Sequence, residues 1–203
     1  TIIPFDTLWE QYKRIIKDNG AIVLTASQPF TSALVMSNVK MFKYEWIWNK
    51  SHPSGFALAK KIPMKYHENV VVFYKNPPTY NYQLTEGKEN HWKERKETKM
   101  HGTEKIIAKV TNSSGNMKYP SSVQKINSVD RTKILHPTQK PVALFEYLIK
   151  TYTNEGDLVL DNCAGSFTTA VACNNLKRDW VCIEKEADYC KVGEERLRQE
   201  VMF

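Results

Sequence analysis

The sequence predicts an α/β fold, a parallel sheet flanked by helices and interrupted by a long basic insertion. Three observations predict it. Short apolar, β-branched runs at 21–25, 70–74 and 157–161 read as buried strands. Stretches of helical period at 7–17 and 141–152 alternate with them, as in a parallel α/β sheet. From 76 to 133 apolar residues thin out and Lys, Glu, Asn and Ser take over.

Each element has its own reason. Residues 7–17 put Leu8, Tyr12, Ile15 and Ile16 on one helical face, and Gly20 is the expected C-terminal cap. The 21–25 strand follows. Ser27 is the expected N-cap of the next helix, with Pro29 in its first turn and an end near Asn38. Residues 43–49 alternate with Tyr44, Trp46 and Trp48 and read as a strand, and 51–65 as a loop. Val70 to Tyr74 is the next buried strand. The 76–133 stretch carries little periodicity beyond Ile106-Ile107-Ala108, and a segment of that length is usually functional or disordered. The pattern resumes with a helix at 141–152, its face formed by Val142, Phe145, Leu148 and Ile149. A strand at 157–161, a helix at 167–175, a strand over Trp180–Ile183 and a last helix from Ala187 complete the chain. Three regions result: 1–75, the insertion 76–133, and 134–203.

Composition narrows the function classes. The 203 residues carry a formal charge of +7, which fits a polyanionic partner. No apolar run approaches the roughly 20 residues of a membrane span, and no signal peptide is visible. Cys163, Cys173, Cys182 and Cys190 form no C-x-x-C pair and have no matching His spacing for zinc. They read as reduced, small core residues of a cytoplasmic protein.

The chemistry concentrates in Leu158-Val159-Leu160-Asp161-Asn162-Cys163-Ala164-Gly165-Ser166-Phe167-Thr168-Thr169. This run joins a strand to a helix, where α/β folds bind ligands outside the carboxyl ends of strands. Small residues allow close backbone approach, and the helix start offers free N–H groups to a carboxylate. The next strand ends in Glu184, placed to accept two hydrogen bonds from ribose hydroxyls. A glycine turn alone says little. Turn, helix, strand and terminal acid at this spacing indicate an adenosine-containing cofactor.

His136-Pro137-Thr138-Gln139-Lys140-Pro141, followed by a helix and then Val159-Leu160-Asp161, Ala164-Gly165-Ser166 and Thr168-Thr169, resembles the DNA amino-methyltransferase family that modifies adenine N6 or cytosine N4. The similarity extends back through Ser27-Gln28-Pro29-Phe30, Trp46-Ile47-Trp48-Asn49-Lys50 and His67-Glu68-Asn69, and spares only 76–133. The resemblance implies a Rossmann-like methyltransferase sheet and S-adenosylmethionine as cofactor. Asp161, Ala164, Gly165, Ser166, Thr168 and Thr169 would line it, with Asp161 and Gly165 at the methionine end. Glu184 would hold the ribose, and Thr138 and Lys140 would approach the methionine carboxylate. Phe167 departs from the family, which usually has Gly there. A ring turned into the helix–sheet contact would leave the turn intact.

The resemblance also implies a catalytic P-P-aromatic motif ahead of the first helix. Only residues 1–6 precede that helix here, so the catalytic residues are unknown. The family's sheet sets the catalytic strand between the 157–161 and 21–25 strands. Leaving it out would leave unpaired buried backbone at about 1–3 kcal/mol per group. The expectation is that two further strands and the motif precede Thr1, and direct pairing of those two strands would refute it. Asn76-Pro77-Pro78-Thr79-Tyr80 is a lookalike, with its aromatic displaced by one residue and its position at the expected sheet edge; Pro-Pro there reads as a strand terminator.

Residues 76–133 occupy the family's target-recognition region. Lys93, Arg95, Lys96 and Lys118 are candidates for phosphate contact, with Tyr80, Tyr82, Trp92 and Tyr119 among them. The expected partner is double-stranded DNA with a flipped base, since an amino nitrogen inside a duplex cannot reach a buried sulfonium. Homodimers are common in the family. The resemblance therefore implies methylation of adenine N6, or of cytosine N4, as in restriction-modification. A non-catalytic DNA- or cofactor-binding subunit is the alternative, and a methyltransferase acting on RNA or a small molecule is the third reading.

Overall fold

A computed structural model describes residues 3–88 and 115–200, in two compact units. The first runs to Asn81 and resumes at Ser122; the second is Tyr82–Ser121. In order, the elements are α1 (Phe5–Ile15), β1 (Ile22–Ala26), α2 (Phe30–Ser37), β2 (Phe42–Ser54), β3 (Lys65–Phe73), β4 (Thr85–Glu86), β5 (Met117–Lys118), β6 (Val123–Ile126), α3 (Val142–Tyr152), β7 (Leu158–Asp161), α4 (Thr168–Asn175), β8 (Asp179–Cys182) and α5 (Ala187–Glu200).

The larger sheet has the order β1-β3-β2-β6. Only the β2–β6 pair in it is parallel. Both pairs involving β3 are antiparallel, which corrects the uniformly parallel sheet read from the sequence. The β2–β3 connection, residues 55–64, is too short for the crossover of a dozen or more residues that parallel neighbours need. A separate parallel pair, β7–β8, runs in register from Leu158↔Asp179 to Asp161↔Cys182. β1 and β7 are not paired with each other, so among the described residues each keeps one edge without a strand partner.

The β3 run Val70-Val71-Val72-Phe73 is fully buried because both faces of its sheet are covered. Trp46, Trp48, Val70 and Val72 pack against Leu144, Leu148 and Tyr152 of α3. Val71 and Phe73 face Trp9 of α1, Ile22 and Leu34 of α2. Each such side chain stabilises the fold by about 1.5–3 kcal/mol. Polar tips find partners: Trp46 Nε1 donates to the Tyr152 hydroxyl at 2.7 Å and Trp9 Nε1 to Ser37 Oγ at 2.7 Å. In the β7–β8 pair, Val159 and Trp180 pack with Ala172 and Cys173 of α4. Leu158, Leu160 and Val181 on the other face, and Ile183 just beyond β8, are 60%, 40%, 44% and 53% exposed, an open apolar surface.

Local details differ from the sequence reading. Helix α1 ends two residues early, at Ile15, with a C-cap residue Ile16 of extended backbone. Gly20 does not cap it; a Cβ there would sit 2.6 Å from Ile16 Cδ1, so glycine serves close packing. Pro29, not Ser27, is the N-cap of α2, and the Gln28 side chain accepts the first-turn Ser32 N–H at 3.4 Å. Strand β2 runs on through Ser54 into the expected loop. Cys163 is exposed rather than a core residue, because it lies in the turn after β7; Cys173 is buried, and Cys182 and Cys190 are half-buried. In the second unit β4 and β5 pair antiparallel, Thr85 opposite Lys118, and Tyr82 packs on Tyr119 with ring centroids 5.3 Å apart. The Ile106-Ile107-Ala108 run lies outside the described residues.

Candidate functional site

The turn between β7 and α4 is shaped from below by Asp161. Its Oδ1 accepts the Cys163 backbone N–H at 3.0 Å, and its Oδ2 accepts the Thr169 hydroxyl. One carboxylate thus closes the turn and ties it to the first turn of α4. Gly165 then takes the left-handed conformation, φ 53°. A Cβ there would meet the His136 ring at 3.3 Å, so the close approach of another segment requires glycine as well as the dihedral.

Glu184 lies just past β8 and completes the turn from the side. Its Oε2 accepts Gly165 N–H at 2.8 Å, and its Oε1 accepts the N–H groups of Lys185 and Glu186 at 2.9 and 3.0 Å. These backbone donors, Glu186 first, hold its carboxyl below the usual carboxylate range, with His136 adding to the effect. The parallel pair β7–β8 is what brings Asp161 and Glu184 to the same end of the sheet.

The 136–140 run folds over this turn. The His136 ring stacks edge-on against Tyr189 of α5, centroids 4.2 Å apart. Its Nδ1 accepts Thr138 N–H at 3.3 Å and lies 3.1 Å from the Thr138 hydroxyl. The carbonyl of Lys140 accepts a long hydrogen bond from Thr168 Oγ1 at 3.5 Å. The Lys140 ammonium turns the other way. It lies 3.1 Å from Glu68 Oε2, while Lys50 Nζ sits 3.2 Å from Glu68 Oε1. The three side chains are only 8%, 19% and 19% exposed, for Lys50, Glu68 and Lys140, and two cations share one carboxylate.

Two further residues reach the turn from distant elements. Tyr12 of α1 donates its hydroxyl to Asn162 Oδ1 at 3.0 Å. Burial, with Cys163 and Asp161 nearby, pushes its phenol up to about 12. Arg196 of α5 donates from Nη1 to Ser166 O and Thr168 Oγ1, both at 3.0 Å. Burial raises the Cys163 thiol pKa, and Asp161 and Glu184 add to it, so this exposed cysteine is not an activated nucleophile.

The structure brings Asp161, Ala164, Gly165, Ser166, Thr168, Thr169 and Glu184 together with Thr138 and Lys140. Ala164, Ser166, Thr168 and Thr169 are buried within the protein. What the turn leaves accessible is therefore Asn162 and Cys163, with the carboxylates of Asp161 and Glu184 beside them. This donor set, at the carboxyl ends of two parallel strands, fits an adenosine-containing cofactor. A groove of about 790 Å³ is lined by Lys133, Gln139, Lys140, Pro141, Arg196 and Gln199 and includes none of Asp161, Gly165 and Glu184. It meets the turn only through Lys140 and Arg196.

The DNA candidates divide. Lys118 is half-buried on β5, while Lys93, Arg95 and Lys96 lie outside the described residues. The segment 76–80 leaves the C-terminal end of β3. Tyr80 packs on Tyr152 and Asn81 caps the end of α3 through Thr151 O at 2.8 Å. Lys140 stands at the opposite end of that helix. Sequence reasoning assigned no role to His136 and Glu68, although both stand in the motifs that carry the resemblance. Tyr12 was read only as part of an apolar helical face, and Arg196 was given no role.

Chain-wide similarity agrees with this geometry. M.HpaI, a type II methyltransferase of Haemophilus parainfluenzae, is 27% identical over 206 residues, covering 98% of this chain and 60% of the relative. The DNA adenine methyltransferase YhdJ of Escherichia coli (strain K12) is 47% identical over 62 residues, 30% of this chain and 21% of that protein. The fold matches that of the PvuII DNA methyltransferase, described as cytosine-N4-specific, with TM-score 0.66 and 17% identity over 95% of this chain and 70% of the other. The chain thus spans less than two thirds of the length of these curated relatives. The family match itself runs over residues 5–195, nearly end to end, and by it the chain belongs to the DNA methylase family of N6 and N4 methyltransferases.

Proposed function

We propose that the chain binds S-adenosylmethionine and serves methyl transfer to the N6 amino group of adenine in double-stranded DNA. One observation carries the reading. The 136–140 run, read from sequence as part of the cofactor site, packs its His136 ring on the left-handed Gly165 and its Lys140 carbonyl on Thr168. Two segments far apart in sequence meet where the carboxylates of Asp161 and Glu184 stand.

S-adenosylmethionine supplies a sulfonium-activated methyl group. The chain's own residues would bind and orient it. Glu184 would accept hydrogen bonds from the ribose hydroxyls. Asp161 holds the turn through Cys163 N–H and the Thr169 hydroxyl and would stand near the methionine end. Direct transfer to an amino nitrogen needs no covalent enzyme intermediate, in keeping with the raised thiol pKa of Cys163. Contact with DNA falls to the basic segment containing Lys93, Arg95, Lys96 and Lys118, and the net charge of +7 supports a polyanionic partner. No described helix is long and apolar enough to cross a membrane, and the proposed site of action is the cytoplasm. Adenine is preferred to cytosine on the YhdJ similarity, with N4 of cytosine as the alternative.

The test is tritium transfer from labelled S-adenosylmethionine to unmethylated DNA by the intact protein, with the nucleosides resolved after digestion. N6-methyladenine is the expected product. N4-methylcytosine would reverse the base assignment. Cofactor binding without incorporation would replace the enzyme by a non-catalytic, methyltransferase-like binding subunit.

A further inference from the structure

Phe167 stands in the cofactor turn with φ 58° and ψ 34°, the left-handed region. That backbone costs a residue with a Cβ, and β-carbon strain there is normally avoided by glycine. Yet the residue is 8% exposed and well packed. Its ring leaves the turn and enters the contact between α4, β8 and α5, edge-on to Trp180 at 6.5 Å between centroids. Ala164, Ala170, Cys182 and Leu197 surround it.

The ring fits because position 193 on α5 is glycine. A Cβ there would lie 2.6 Å from Phe167 Cδ1 and 2.8 Å from Cδ2, and closer still to Cγ. Those atoms sit near the root of a buried ring, so they cannot swing aside as a flexible tip would. Gly193, Arg196 and Leu197 share one helical face, at spacings of three and four residues. From that face Arg196 also donates to Ser166 O and Thr168 Oγ1, the residues on either side of Phe167. The notch grips the side chain of residue 167 while the guanidinium grips the backbone just before it.

We propose that Phe167 and Gly193, with Arg196, form a clamp by which α5 positions the cofactor turn. Phe167 is a positioning residue: its ring points away from the carboxylates of Asp161 and Glu184 and acts through the backbone at 164–166. A strained dihedral is held in place by a ring locked into a glycine notch, so cofactor affinity depends on a helix that begins 20 residues downstream, at Ala187. The inference rests on the assignment of 161–169 as the cofactor turn.

The test is a double-mutant cycle on the intact protein, read as the Kd for S-adenosylmethionine by calorimetry and as Trp180 fluorescence. Gly193→Ala in the wild-type background weakens binding about tenfold, since overpacking must move the ring or the helix. Phe167→Gly removes the clash, so Gly193→Ala in that background changes Kd by less than about twofold. Arg196→Gln weakens binding while the thermal midpoint without cofactor falls little. Should Gly193→Ala fail to fold, Phe167→Gly/Gly193→Ala must fold and bind. Equal effects of Gly193→Ala in both backgrounds would overturn the clamp while leaving the cofactor reading intact. Failure of the wild-type protein to bind S-adenosylmethionine would overturn both.

Discussion

Replacing Glu68 by glutamine tests the charge cluster behind the cofactor turn. Its carboxylate lies 3.2 Å from Lys50 and 3.1 Å from Lys140, with none of the three side chains more than 19% exposed. Removing one partner of a buried pair costs about 3–5 kcal/mol, chiefly because an uncompensated charge remains. Here two cations lose their counter-charge, but partial exposure lets water screen them, so we expect about 3 kcal/mol. For a chain of this size each kcal/mol moves the midpoint by about 2–4 °C, so differential scanning calorimetry at neutral pH should show a fall of about 6–12 °C. A second substitution decides the cause. Lys50→Met in the Glu68→Gln background removes one stranded cation and should recover about half of the loss. A shift below about 2 °C for Glu68→Gln, or no recovery in the double variant, would refute the electrostatic account.

Two other predictions concern the turn itself. Glu184 has a depressed carboxyl pKa in the folded protein, so its contribution to stability is present above the ordinary carboxylate value of 4.5 and disappears as pH falls through the lower, folded-state value. Wild type and Glu184→Gln should therefore differ by a constant amount between about pH 6 and 8 and converge in acid, as denaturant titrations at stepped pH will show. Tyr12→Phe deletes the hydrogen bond to Asn162 and should cost about 1 kcal/mol. It should also remove one late-ionising phenol, near pH 12, from the ultraviolet titration, and an unchanged titration curve would contradict the buried site described for Tyr12.

Some of this was legible in the sequence because the physics is local. Helices α3, α4 and α5 and strand β7 follow from periodicity, and the Asp161–Gly165–Glu184 constellation follows from a strand–turn–helix–strand order whose spacing fixes its geometry. The ring of Phe167 turns into the helix–sheet contact, as expected of a harmless substitution, but the notch at Gly193 that receives it was unforeseen. Strand β6 was missed because Val123-Gln124-Lys125-Ile126 is four residues long and half polar, and only pairing with β2 makes it a strand. The antiparallel placement of β3 depends on loop length and partner choice, which periodicity does not encode. Glu68, Lys50 and Lys140 meet across 90 residues of chain, so no window of sequence contains all three.

The notch beneath Phe167 also constrains how such a sequence can change. With a side chain at 193, a ring at 167 fits only if the ring or α5 shifts, so the easier order is glycine first and phenylalanine second. The reverse route passes through an intermediate with two groups in one space. Once the ring is seated, restoring a side chain on α5 is blocked until 167 changes first. The two positions are thus coupled, and a small residue at 167 would free 193 to carry a side chain.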